Sequence, residues 1–408
     1  MKENQGRRGA AVAACLATAE GAGPHRGRTA ATETNSAAVA WEGGLLVYVG
    51  PAADLPWPAT HGRAGEGLIV PGFVDCHVHL PFVGWRADEF EARLRGVSYR
   101  ELHGEGGIHR SARLFAEASD EDVLACCRPL VAEMAAHGTT ALELKTGYGL
   151  SVEAELRQAR LARALAEEVP QTCVVTLLVC HAVPGGMARD EWVRLACEEL
   201  IPAAASEGLV DAVDVYVEDI AFSTDDLARV AEAAALAGVP LRCHADQLGA
   251  SGAAEAAVAL GARSADHLNN TSEAGVTALG LAPSTAAVLL PASTFMLRAG
   301  APPARALVNA DAIVTVASDF NPGTSPVLSM PEVVAIGCTL YGLDPLHALV
   351  AATANPAWVL GLDDRLGRLE PGLRADFAIL EEPSFAQVPY RPGHNPVLAT
   401  FVAGERAT

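Results

Sequence analysis

The stretch FVDCHVHL (73–80) runs apolar residues into two histidines separated by a single valine, and seven further runs repeat its design. They are TTALELK (139–145), CVVTLLVCHA (173–182), VDVYVE (213–218), PLRCHAD (240–246), ARSADHL (262–268), AAVLLP (286–291) and AIVTVASD (312–319). Between them lie stretches rich in Ala, Leu and Glu, such as SVEAELRQARLARALAEE (151–168) and STDDLARVAEAAALAG (223–238). The second opens with Ser223 and Thr224 followed by acidic residues, a helix N-terminus. Strands that alternate with helices must pair in parallel, and eight such units close into a (β/α)8 barrel.

The flanks have another texture. AAVAWEGGLLVYVG (37–50) reads as two strands joined by a Gly-Gly turn. GRLEPGLRADFAIL (367–380) and VLATFVAGERA (397–407) repeat the pattern of short apolar runs, turns and no helical period. The fold class is therefore α/β: a TIM-like barrel over about residues 70–360, inserted into a small composite β-sandwich domain built from 1–69 and 361–408.

Half of the 408 residues are hydrophobic and 19% are charged, enough to bury a large core. A formal net charge of −20 excludes nucleic acid as a partner, because nothing would drive counterion release from a phosphate backbone. An anionic small molecule would need a local basic group. The nine cysteines form no CxxC pair and no regular spacing, so they read as reduced thiols. Strand alternation turns Cys76 and Cys243 away from the neighbouring histidines and into packing. RRGAAVAACLATAEGAG (7–23) has a faint leader-like pattern but is weakly apolar, and no segment is apolar for long enough to span a bilayer. The expected location is cytoplasmic, with no membrane partner.

His77 and His79, two apart on a strand, project from the same face and can chelate one cation. An HxH pair alone is a weak signal, since two hydrogen-bonded histidines would look the same. The register of the other groups is stronger. His181, Glu218, His244, His267 and Asp319 each fall at or just past the C-terminal end of a different strand, where barrel active sites assemble. Imidazoles with a carboxylate suit zinc or iron. His61, His103, His109, His137, His347 and His394 are expected to be solvent-exposed, and Glu153, Glu155, Arg157 and Arg160 to form a solvated helix face.

In PGFVDCHVHL, RADEFEARLRGVSY, GGI, ELKTGYGL, CHAVP, DVYVE, HADQ, ADHL, LLP and ASDFNPGT, the chain resembles the amidohydrolase superfamily and, within it, the imidazolonepropionases of histidine degradation. PGLRADFAIL (371–380) matches the returning small domain. The resemblance implies one divalent metal, zinc or iron, held by His77, His79, His244 and Asp319. It implies that Asp319 and His267 are catalytic, with His267 orienting water or the scissile carbonyl. Arg86, Tyr99, Tyr148 and His181 match positions around the substrate and its propionate; Asn321, Gly323 and Thr324 match the loop that embraces the substrate. The substrate implied is a small anionic heterocycle whose cyclic amide is opened, and a homodimer is usual.

Three positions depart from the family pattern. Val78 stands where Thr is frequent. Gln247 stands where several members carry Glu, which leaves it to hydrogen-bond the substrate and leaves proton transfer to Asp319 or His267. Trp85 bears on the shape of the pocket beside Arg86. Lys145 ends the second strand, not the fourth that supplies a bridging lysine in related binuclear enzymes, so it reads as an ion-pair group. Glu218 ends the fourth strand, which favours one metal over two. Two other readings are a deaminase or cyclic amidase for a different ring on the same scaffold, and a barrel that has lost catalysis.

Overall fold

The computed structural model describes residues 8–98, 101–102 and 106–408. The first strand, β1 (Arg8–Thr18), is the Ala-rich stretch with the leader-like pattern. Here it is an interior strand of a sheet. It pairs with β2 (Thr32–Glu42) on one side, and with the short β4 (His61–Gly62) and β5 (Leu68–Pro71) on the other. β2 turns back into β3 (Leu45–Pro51) through Gly43 and Gly44, both at positive φ, the backbone that a tight two-residue hairpin demands.

The central strands are β6 (Phe73–Asp75), β7 (Thr139–Lys145), β8 (Thr172–Cys180), β9 (Ala212–Val217), β10 (Leu241–Ala245), β11 (Ser264–His267), β12 (Ala286–Leu289) and β13 (Ile313–Val316). They lie side by side in chain order and all pair in parallel. These are the eight runs read from the sequence. The ring closes where β6 and β13 run out: Val78 bridges Phe320 in parallel, and the His79 amide donates to the Phe320 carbonyl at 2.9 Å. Closure thus falls between the two histidines of HVH, and Val78, fully buried, holds that seam.

Helices cover the barrel because their sequences are capped and striped. Thr224–Ala237 begins at Ser223 with a reciprocal capping box to Asp226 and ends at Gly238 in the left-handed region. Val152–Glu168 starts at Ser151, whose side chain accepts from the Ala154 amide. One member of this helix departs from the solvated face expected of it. Glu155 is buried and accepts from the amides of Gly147, Gly149 and Leu150. Its carboxylate shapes the loop that carries Tyr148. Arg157 and Arg160 do face outward, pairing with Asp120 and Glu207.

The chain returns through β14 (Phe377–Leu380), β15 (Val397–Val402) and β16 (Glu405–Arg406) to complete the first sheet, in the order β16-β15-β14-β5-β1-β2-β3. The small domain is one continuous hydrogen-bonded sheet drawn from both termini. Trp41 on β2 lies three strands from Phe377 on β14, yet their rings are 5.3 Å apart. At nearly 5 Å per strand such contact requires the sheet to curl over its own core. Gly9 and Gly404 make room for the indole, since a Cβ at either would fall within 2.4 Å of it.

Candidate active site

The barrel mouth gathers residues that are hundreds of positions apart. His77 and His79 lie just beyond β6 with their Nε2 atoms 3.2 Å apart. His244, on β10, brings its Nε2 to 3.5 Å from that of His79. Asp319, past β13, sets Oδ1 3.2 Å from His79 Nε2 and 3.6 Å from His77 Nε2. All four side chains are buried. His267 joins the group from β11: one nitrogen each of His77, His244 and His267 lie within 4.8 Å of one another. His267 and Asp319 both have positive φ, +76° and +53°. Non-glycine residues held in that region cluster at functional sites. At His267 the consequence is concrete. Strand alternation would put Asp266 and His267 on opposite faces, and the backbone turn at His267 brings both inside.

The orientation of two of these rings is set from behind. His77 Nδ1 meets Asp266 Oδ2 at 2.6 Å, and His244 Nδ1 meets Asp214 Oδ2 at 3.0 Å. At His77 the contact is a hydrogen bond, and a carboxylate there places the proton on Nδ1 and leaves Nε2 bare; at His244 it is a close approach. Burial drives the His77 imidazole well below its ordinary pKa, with Lys145 adding to the shift, and burial also lowers His79 against the pull of Asp319. Burial pushes the Asp319 carboxyl up, but contacts with His79 and His267 overcome it and hold the group below its usual range. Burial takes His267 down to about 3, against the raising effect of Asp319.

The cavity is also lined by Arg86, Tyr148, His181, Gln247, Asn321 and Thr324. Arg86 is buried, with Nε 3.2 Å from Glu89 and Nη1 donating to Ser111, so two of its three nitrogens are already engaged. Gly323 does not line the cavity. A Cβ there would fall 1.8 Å from Arg86 Nη2, so the glycine exists to let the guanidinium lie against the loop. Asn321 accepts from the amides of Gly323 and Thr324 and donates to the Asp319 carbonyl, which ties the loop to the carboxylate it follows. His181 approaches Gly147 O at 3.0 Å and stacks on His79 at 5.3 Å. Tyr99 lies outside the described residues, as does His103.

Comparison with known proteins places this arrangement. The amidohydrolase family model matches residues 68–407. An imidazolonepropionase of Rubrobacter xylanophilus is 43% identical over 395 residues, covering 94% of both chains. One from Cupriavidus necator is 44% identical over 378 residues, covering 90% of this chain and 89% of its own. The chain belongs to the amidohydrolase family, among its imidazolonepropionases. An adenosine deaminase from Xanthomonas campestris with bound zinc shares the fold, with a TM-score of 0.70 at 20% identity over 97% of this chain and 92% of its own.

The donor set of this amidohydrolase fits a divalent cation. Four of the six distances among these donor atoms are 3.2–3.6 Å. His77, His79 and Asp319 gather within 4.8 Å of one another, and His77, His244 and His267 do the same. Metal–ligand bonds of about 2.0–2.1 Å in a tetrahedron put neighbouring donors roughly 3.4 Å apart. The His77 and His79 imidazoles, held below their ordinary range, and the Asp319 carboxyl, held below its own, are in the protonation states that metal binding requires. Glu218 is not part of this cluster. It sits past β9, where its carboxylate accepts from the Leu248 amide at 2.7 Å and burial raises it to about 7.

Several residues of this amidohydrolase escaped the sequence reading. Tyr216 and Ile108 line the cavity without having been singled out, although DVYVE and GGI were matched as segments. Period-two alternation from Glu218 back through Tyr216 to Asp214 would have flagged all three. Asp266 beside His267 offered no comparable signal. Two expectations need correction. Trp85 is 47% exposed, packs on Phe82 and Phe320, and is not among the residues lining the cavity. His347 is buried, with Nδ1 3.1 Å from Thr29 O, because a segment between β1 and β2 covers it. All nine cysteines are free, and Cys76 and Cys243 pack in apolar clusters as alternation implied. No helix among the described residues is long and apolar enough to cross a membrane.

Proposed function

We propose that this chain opens the ring of 4-imidazolone-5-propanoate with water, giving N-formimino-L-glutamate in histidine degradation. The observation that carries this reading is the convergence of His77, His79, His244 and Asp319 beside a wall bearing Arg86. The relatives named as imidazolonepropionases support the choice of substrate. The four residues would hold one metal, zinc or iron, both of which accept imidazoles and a carboxylate. That ion supplies Lewis acidity and lowers the pKa of water when bound.

The remaining steps belong to the chain's own groups. Arg86 supplies the positive charge for the substrate carboxylate, with Tyr148 and His181 beside it and Tyr99 assigned to the same role by the family pattern. Gln247, with no acid–base capacity, hydrogen-bonds the heterocycle. Water oxygen bonds to the ring carbonyl carbon, and the carbon–nitrogen bond of the cyclic amide then breaks. Asp319, kept ionised, accepts the proton of the attacking water and delivers it to the departing nitrogen. His267, kept neutral, donates an N–H to the oxyanion that develops on the carbonyl. Asn321, Gly323 and Thr324 fix the loop around this chemistry. On the same reading the enzyme is a cytoplasmic homodimer with its barrel at about 70–360, between sheet halves at 1–69 and 361–408.

Purified protein should consume imidazolonepropionate at a rate proportional to its metal content, and chelation should stop it. Metal-loaded protein that leaves this compound untouched would defeat the proposal. Arg86→Met should lower kcat/KM by one to two decades, about 1.5–3 kcal/mol for a lost charge-assisted pair, almost all of it in KM. Metal content should stay at the parental level. An unchanged KM would mean that Arg86 does not hold the carboxylate.

A further inference from the structure

Beneath the proposed metal site the barrel interior carries a buried charge network that neither binding nor proton transfer uses. Lys145, the last residue of β7, is fully buried. Its Nζ lies 2.6 Å from Asp214 Oδ2, 2.9 Å from Glu143 Oε2 and 4.0 Å from Asp266 Oδ2. Glu143 is also paired with Arg242 and accepts from Thr176 Oγ1. Burial alone would strip the ammonium of its proton, but Asp214, Glu143 and Asp266 outweigh it and keep Lys145 charged.

The geometry has a particular consequence. The oxygen of Asp214 that meets Lys145 is the oxygen that meets His244 Nδ1, and the oxygen of Asp266 nearest Lys145 is the one that meets His77 Nδ1. His77 and His244 come from opposite sides of the ring, yet one ammonium from a third strand sits behind both. We propose that Lys145 is a positioning residue for the metal site: by anchoring Asp214 and Asp266 together, it fixes the rotation and tautomer of His77 and His244 at once. Removing it deprives both carboxylates of the cation they share, so the group bonded to His77 Nδ1 and the group in contact with His244 Nδ1 are both free to shift. His79 is the internal control, because among the described residues it has no hydrogen bond or ion pair with either carboxylate.

The inference rests on the metal site proposed above, and the test separates the two. Zinc affinity is measured by competition with a chelator, and ring tautomers are read from nitrogen-15 spectra of the metal-free protein. Parent protein that takes up no zinc with this affinity assay removes the metal site itself. Given a parent that binds, Lys145→Met should weaken zinc binding roughly 10–100-fold, the usual loss when an outer partner of a ligand is removed. The signals of His77 and His244 should change together while that of His79 stays. Zinc affinity within about threefold of the parent, or lost affinity with parental His77 and His244 spectra, would overturn the role of Lys145. If burying an uncompensated charge pair prevents Lys145→Met from folding, Asp214→Asn probes one arm alone. It should weaken zinc binding and alter His244 but not His77; unchanged affinity and an unchanged His244 signal would overturn the proposal.

Discussion

His244→Ala should yield a folded barrel that no longer retains metal through dialysis. His244 contributes one of the four acceptors, with Nε2 3.5 Å from that of His79. The loss of affinity should exceed the roughly 10–100-fold that removal of an outer partner costs, because a bond to the ion itself is gone. Folding should survive for a stated reason. Asp214, which His244 leaves behind, keeps Lys145 at 2.6 Å, so the deletion does not strand a buried charge. The strand itself is held on both sides, in register with β9 and β11. Metal analysis and circular dichroism on the same sample decide the matter. Full metal occupancy in the variant would remove His244 from the ligand set; loss of the fold would show that the residue is structural first.

What the sequence disclosed follows from the range of the interactions involved. Each barrel strand is a short buried run bounded by turns, and burial on both faces writes itself locally as continuous Val, Leu and Ala. β1 was harder to read, since its alanines are poor strand formers and only their pairing with β2, β4 and β5 explains them. At the site, His77, His79, His244 and Asp319 were visible because strand ends share one face of the barrel. Their supports were not. Asp266 is aligned with His244 in the sheet yet reaches across the interior to His77, a pairing that no local spacing encodes. The backbone turn that brings His267 inward is equally silent in the letters ADHL. Glu155 looked like one more charge on a polar helix, and only the loop folded over it reveals that three amides need its carboxylate.

Asp319→Asn should separate binding of the metal from transfer of the proton. Asparagine keeps the shape of the side chain and one oxygen, so it can still face His77 and His79 at the seam where the barrel closes. It cannot accept the proton of the attacking water. Positioned proton transfer is worth about 10²–10⁴-fold, and kcat should fall by that much with substrate affinity little changed. His267→Ala should also lose turnover, through a different route. His267 is neutral through the physiological range because burial takes it to about 3, so what it offers the developing oxyanion is a hydrogen bond and not a charge. Removing such a donor costs roughly 10²–10³-fold. Single-turnover measurements on metal-loaded protein distinguish the two. In Asp319→Asn the slow step should be sensitive to solvent deuterium, because proton removal from water now limits ring opening. In His267→Ala the rate should fall without a larger solvent isotope effect than the parent shows. An Asp319→Asn enzyme that opened the ring at the parental rate would take the base away from Asp319, and His267, the other residue placed at the reacting carbonyl, would inherit the role.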